Sequence, residues 1–209
     1  MPATISPSKK SLHASEQDRP DVAEKRASWK ANQPALDPDK LIFIDETGAN
    51  TKMVRLRGRC PRGQRLVAPV PWGHWKTTTF TAGLRRTGLI APFLLDGPMD
   101  GEAFLVYLAQ VLVPVLGQGD IVIIDNLPAH KVTGVRDLIE AAGAALIYLP
   151  PYSPDRNPIE LAFAKLKALL RKAAERTVPD LWQRITTLLA QFTTHECAAF
   201  FSHDGYAAT

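Results

Sequence analysis

LIFID at residues 41–45 and IVIID at 121–125 are the two stretches on which the fold turns. Each is four apolar residues followed by an aspartate, too short for a helix of ordinary length and ending in a turn. Runs of this kind are expected of strands buried on both faces. Between these two stretches, TTTFTAGL (77–84) and LIAPFLL (89–95) flank Arg86-Thr87-Gly88 and read as a hairpin. Before that hairpin, Val54, Leu56 and Cys60 alternate with Arg55, Arg57 and Arg59, which predicts a half-buried strand with an arginine row on one side. Toward the C-terminus, GEAFLVYLAQVLV (101–113) predicts a helix ended by Pro114, and a second helix is expected at about 132–142. ALIYL (145–149) predicts another strand, followed by the turn PPYSPDRNP and a helix from about Pro158 to Ala174. A last amphipathic helix is expected from about Pro179 to Phe192, capped by Thr177. Strands first, then alternating strand and helix, give an α/β domain with a mixed sheet.

Residues 38–200 carry this pattern. Residues 1–37 read as a polar lead-in or linker with one exposed helix from Pro20 to Gln33, and 201–209 as a tail. The start, MPATISPSKKSLH, lacks the apolar stretch of a secretory signal, and no apolar run approaches the ~18 residues of a membrane span. Cys60 and Cys197 form no CxxC pair and read as reduced thiols of the cytoplasm. Net charge is +4, but its distribution is uneven. Between Glu46 and Asp96 there are nine Lys or Arg and no acid, so the rest of the chain sums to −5. A basic region of this kind either attracts a polyanion such as nucleic acid or is a solvated face.

Asp45 and Asp125 each close an apolar strand, and in open α/β sheets ligands gather beyond such strand ends. If the two strands are parallel neighbours, both carboxylates enter one crevice, and Glu160 closes it from the first turn of a following helix. Three carboxylates without His or Cys favour hard cations, two Mg²⁺ or Mn²⁺ ions in line for phosphoryl transfer. Each residue has a structural alternative. Asp45 and Asp125 suit turns, and Glu160 falls where a capping box begun by Asn157 and Pro158 would place a glutamate.

FIDETG, IIDNLPAHK and LPPYSPDRNPIE, with 34 residues between Asp125 and Glu160, closely resemble transposases of bacterial insertion sequences in the mariner superfamily. The resemblance runs from about Leu41 to the C-terminal helix and departs at Arg156, where relatives usually carry an apolar residue. It implies a ribonuclease-H-like fold and an Asp45, Asp125, Glu160 triad. It also implies metal-dependent hydrolysis at an element's ends, with strand transfer into target DNA, usually at TA. A homodimer on DNA and a bacterial cytoplasmic, nucleoid-associated location go with it.

On the helix of Glu160, Ala164, Lys167 and Arg171 share its face and suit a DNA backbone or a solvated basic face. Arg55, Arg57 and Arg59 are candidate phosphate contacts, since similar transposases carry there a loop that reaches DNA and a partner subunit. His130 matches a His common in the family and either contacts substrate, orients a metal-bound water or simply starts a helix. Glu46 is a supporting acid or exposed. Trp72, His74 and Trp75 either stack on bases or are buried. His195, Cys197 and His203 match no common zinc spacing. Relatives place a helix-turn-helix before the catalytic domain, for which the first 37 residues leave too little chain. A separately encoded helix-turn-helix partner, a truncated DNA-binding remnant without activity, or a related nuclease that does not transpose are the readings this leaves.

Overall fold

The computed structural model describes residues 14–72 and 75–206; the stretch MPATISPSKKSLH and His74 lie outside them. The strands expected at 41–45, 121–125 and 145–149 and the expected hairpin are present. Helix α1 (Pro20–Asn32) precedes strand β1 (Leu41–Asn50), the hairpin β2 (Thr77–Arg85) and β3 (Gly88–Asp96), and α2 (Gly101–Tyr107). Then follow β4 (Ile121–Ile124), α3 (Val135–Ala141), β5 (Ala145–Tyr148), α4 (Ile159–Ala173), α5 (Val178–Leu189) and α6 (Thr194–His203). The sheet order is β3-β2-β1-β4-β5. β2 is antiparallel to both β1 and β3, while β4 is parallel to both β1 and β5. This is the mixed α/β sheet flanked by helices that the sequence predicts.

The apolar runs are continuous because both faces are covered. Leu41, Phe43 and Ile123 meet α4, α5 and α6 through Phe163, Leu166, Ile185 and Phe201. Ile42, Ile44, Val122 and Ile124 meet α2 and α3 through Phe104, Tyr107, Val135 and Ile139. Strand alternation alone sorts these side chains between the two layers. Gly83, on β2 opposite Ile44, keeps the sheet close to its neighbour, since a Cβ there would lie 2.9 Å from Ile44 Cδ1.

Four details differ from the sequence reading. First, β1 does not stop at Asp45 but continues through Glu46–Asn50, paired with Thr77–Thr81 of β2. Second, no strand forms around Arg55, Arg57 and Arg59: the chain leaves the sheet at Asn50, and Leu56 is 77% exposed. Alternation had no sheet edge to pack against. Third, the helix after Gly101 widens into a π-helical turn at Leu108–Leu112 and tightens to 3-10 over Val113–Val115, so Pro114 sits inside it. Fourth, α6 is a helix that the sequence reading lacks. Thr193 caps it in a capping box with Glu196, and Cys197 and Phe201 bury its inner face. Tyr206, just beyond it, packs edge-on against Phe43.

Candidate active site

Ile44 pairs with Ile124 as the last rung of the parallel β1–β4 ladder. Asp45 and Asp125 are the next residue on each strand, so both carboxylates leave the sheet at the same level. β4 ends there, whereas β1 runs on with β2 at its other edge, which leaves the β4 side of Asp45 open. Asp45 shares the face of Leu41 and Phe43, the face covered by α4. Glu160, on the first turn of that helix, is exposed beside its buried stripe of Ile159, Phe163 and Leu166. Asp45, Asp125 and Glu160 line one cleft of about 410 Å³, with Leu127, Tyr152 and Asn157 among its other walls. The structure thus brings together the three acids singled out in the sequence.

Asp45 is only 9% exposed. Its Oδ1 accepts the Glu46 backbone N–H at 2.7 Å, and its Oδ2 accepts Asn157 Nδ2 at 2.8 Å. Burial pushes its carboxyl well above the ordinary range; negative charge on Glu160, and then on Glu46 and Asp125, adds to the rise against the Glu46 N–H. Asp125 Oδ1 accepts the Leu127 N–H at 3.0 Å and meets His130 Nδ1 at 2.5 Å. His130 Nε2 in turn meets Glu46 Oε1 at 3.1 Å. Burial opposes a charge on His130, but hydrogen bonds with Asp125 and Glu46 outweigh it and raise the imidazole to about 10. Phe104 packs against the ring, with centroids 4.4 Å apart, and Tyr148 donates to the His130 carbonyl.

These contacts revise several expectations. His130 is 2% exposed with both nitrogens engaged, so it orients Asp125 and is not placed to meet DNA. Glu46 is the far anchor of that chain rather than an exposed acid. Asn157, read as a cap, turns its amide to Asp45, and its backbone N–H goes to the Pro154 carbonyl. The capping-box account of Glu160 therefore has no donor left. Arg156 reaches Gln33 Oε1 at 3.5 Å, and Cys197 is core, away from any zinc set.

Lys167 and Arg171 continue the face of Glu160 into a second groove of about 440 Å³, which they line with Asn50, Lys52 and Trp75. Lys52 Nζ sits 4.3 Å from the Trp75 ring centroid and 5.9 Å from that of Trp72. Trp72 is 97% exposed, so burial is not its fate. Arg55, Arg57 and Arg59 are exposed on the segment between β1 and β2, next to this groove through Val54 and Leu56.

Among the described residues, no three His, Cys, Asp or Glu side chains converge as a ready-made metal group. The donor set nonetheless fits hard divalent cations. It is all oxygen, negative charge on Glu160 and Asp125 adds to the raised carboxyl of Asp45, and the Asn157 Oδ1 is buried without a partner at the same cleft.

Residues 40–182, which include all three acids, match the DDE superfamily endonuclease family. The chain belongs to this family. No curated protein sequence matches this DDE endonuclease. Among solved structures, it is similar to the mariner Mos1 paired-end complex with Mg (17% identity, TM-score 0.74, covering 98% of this chain and 66% of that one). The Mos1 strand transfer complex is another (18%, TM-score 0.63, 97% and 67%). A third is the catalytic domain of Mos1 mariner transposase (16%, TM-score 0.55, 93% and 97%). At these identities the likeness speaks for the fold, which is ribonuclease-H-like. This endonuclease spans about two thirds of the length of the first two chains and nearly all of the third. No helix among its described residues is long and apolar enough to cross a membrane.

Proposed function

We propose that this chain is the catalytic domain of a DNA transposase of the mariner superfamily, of the bacterial insertion-sequence kind. In this reading it cuts phosphodiesters at element ends and joins the freed 3′-hydroxyl to target DNA as a homodimer. One observation carries the reading: the Ile44–Ile124 rung delivers Asp45 and Asp125 side by side, and α4 adds Glu160 to the same cleft. Asp45, Asp125 and Glu160 would hold two Mg²⁺ or Mn²⁺ ions. Bound there, the ions supply activation of the attacking oxygen and stabilisation of the leaving one. Asn157 fixes the rotamer of Asp45, while His130 and Glu46 fix that of Asp125. Partners of this kind govern how well carboxylates ligate. Lys52, Lys167 and Arg171 give the DNA backbone a basic groove leading away from Glu160, and the Arg55–Arg59 segment extends it.

Nicking of supercoiled plasmid tests the proposal. Mg²⁺ or Mn²⁺ supports it, Ca²⁺ binds without supporting turnover, and EDTA abolishes it. Asp125→Asn keeps the fold and loses the activity; undiminished nicking by that variant overturns the assignment.

A further inference from the structure

Helix α1 lies more than a hundred residues from the active-site turn in sequence and is bound to it in space. Arg26 Nη1 donates to the Tyr152 carbonyl at 3.1 Å, to Ser153 Oγ at 2.8 Å and to Asp155 Oδ1 at 2.9 Å, and its Nη2 donates to Asp155 Oδ2 at 2.8 Å. Gln17 Nε2, just ahead of the helix, donates to the same Tyr152 carbonyl at 2.6 Å. Further along, Trp29 Nε1 donates to Tyr206 Oη, which donates in turn to the Arg156 carbonyl. Every one of these bonds grips the turn 151–156 or its support. That turn leads directly into Asn157, the partner of Asp45, and into Glu160.

Tyr152 shows why a grip is needed there. It holds φ +55°, a left-handed conformation that residues with a Cβ rarely adopt, and it lines the catalytic cleft. Such a conformation persists only where its surroundings over-determine it. Two donors on its carbonyl and a fork of hydrogen bonds to Asp155 do so, and all three strands of that grip come from the segment before β1. A guanidinium suits the task because its planar fork meets a carboxylate with two parallel bonds and still has a donor for the backbone.

We propose that α1 is a built-in brace of the catalytic unit, and that Arg26 is a positioning residue that sets Asn157 and Glu160 through the Tyr152–Asp155 turn. The unit then includes α1 and Gln17 ahead of it, instead of starting at residue 38. Bound metal and the chemical step depend on Arg26, while DNA grip, supplied by the basic groove whose lining shares no residue with that turn, does not.

The inference rests on the metal-dependent reading above, so its test includes measurements that do not need catalysis. In Arg26→Gln, amide exchange at Arg156 and Asn157, whose N–H groups bind the Ser153 and Pro154 carbonyls, accelerates at least tenfold while β4 and β5 are unchanged. The Mn²⁺ concentration for half-saturation, read by water proton relaxation without DNA, rises several-fold. In nicking assays kcat falls about tenfold and KM for DNA stays put. Arg26→Lys keeps the charge but not the fork, falls between the two, and carries the same measurements if the Gln variant does not fold. A wild-type protein that never nicks sinks the transposase reading and leaves the exchange test standing. Unchanged exchange and an unchanged Mn²⁺ midpoint in a folded Arg26 variant overturn the brace; so does a lower melting temperature as the sole effect.

Discussion

Asn157 Nδ2 donates a 2.8 Å hydrogen bond to Asp45 Oδ2 across 112 residues of sequence. Both groups are buried, so the bond is formed away from competing water. It ties the strand that carries the first acid to the turn that delivers the last one. Asp45 has its other oxygen on the Glu46 N–H, and the carboxylate plane is thereby fixed.

Replacing Asn157 by Ala removes the orienting donor but leaves all three acids. The expected outcome is a 10–100-fold loss of metal affinity or activity, the usual effect of deleting a ligand's outer partner. Asn157→Asp is predicted to be worse, because it sets a second carboxylate against one already crowded by negative charge. Calorimetric Mn²⁺ titration of both variants checks the order; equal and wild-type affinities would remove Asn157 from the site.

Glu160→Gln separates two jobs. Its side chain is exposed and the Asn157 N–H is committed to Pro154, so no cap is lost and the melting temperature stays level or rises slightly. Catalysis falls by orders of magnitude, since the lost stabilisation is worth several kcal/mol at ~1.4 kcal/mol per tenfold. Wild-type nicking by a stably folded Gln variant would take Glu160 out of the triad.

How much of this was legible depends on how local the cause is. LIFID, IVIID and ALIYL announce their strands because burial on both faces demands apolar letters in succession, and the hairpin and α4 are equally local. The polar half of β1, Glu46–Asn50, is a strand only because β2 pairs with it, which no pattern within the segment shows. The arginine alternation misled for the converse reason: a period of two without a partner strand is no strand. Signals for α6 are present, since Thr193 and Glu196 have capping-box spacing and Cys197 and Phe201 lie four residues apart on its buried side. For the site, the three acids were readable through motif and spacing. Glu46 and His130 stood out as candidates beside them, but the pairings did not, because Glu46–His130 and Asn157–Asp45 join positions 84 and 112 residues apart.

The basic segment gives a prediction about binding alone. Arg55, Arg57 and Arg59 are exposed, so replacing all three with Ala leaves the protein's stability within ~0.5 kcal/mol of wild type. Affinity for DNA falls equally for all sequences, and the log–log salt slope flattens by up to about 3, near 0.9 for each phosphate no longer neutralised. Filter binding at four salt concentrations reads this directly. An unchanged slope would mean that the arginines are merely solvated.

The acid side of the stability profile belongs to Asp45. Its carboxyl is held above the ordinary range by burial first and by Glu160 next, so the folded chain binds this proton more tightly than the unfolded chain does. Metal-free stability from this group therefore rises as pH falls through the raised value, and the gain ends near the unfolded value of about 3.9. His130 acts with the same sign in a higher window: its stabilisation is full below about 6.5 and is lost as pH climbs toward about 10. Asp120 and Asp155, held low through Arg85 and Arg26 against the cost of burial, lose stability as pH falls and would mask Asp45 in a single curve. The comparison with Asp45→Asn cancels them. In EDTA, at a pH above the raised value, the Asn variant should be the more stable, because it buries an amide where the wild type buries a charge. Wild type should gain on it as pH drops. Added Mn²⁺ should reverse that order, stabilising wild type and doing little for the variant. Melting curves at several pH values, with and without Mn²⁺, decide it. Parallel wild-type and variant profiles in EDTA would show that Asp45 is not the strained acid of the cleft.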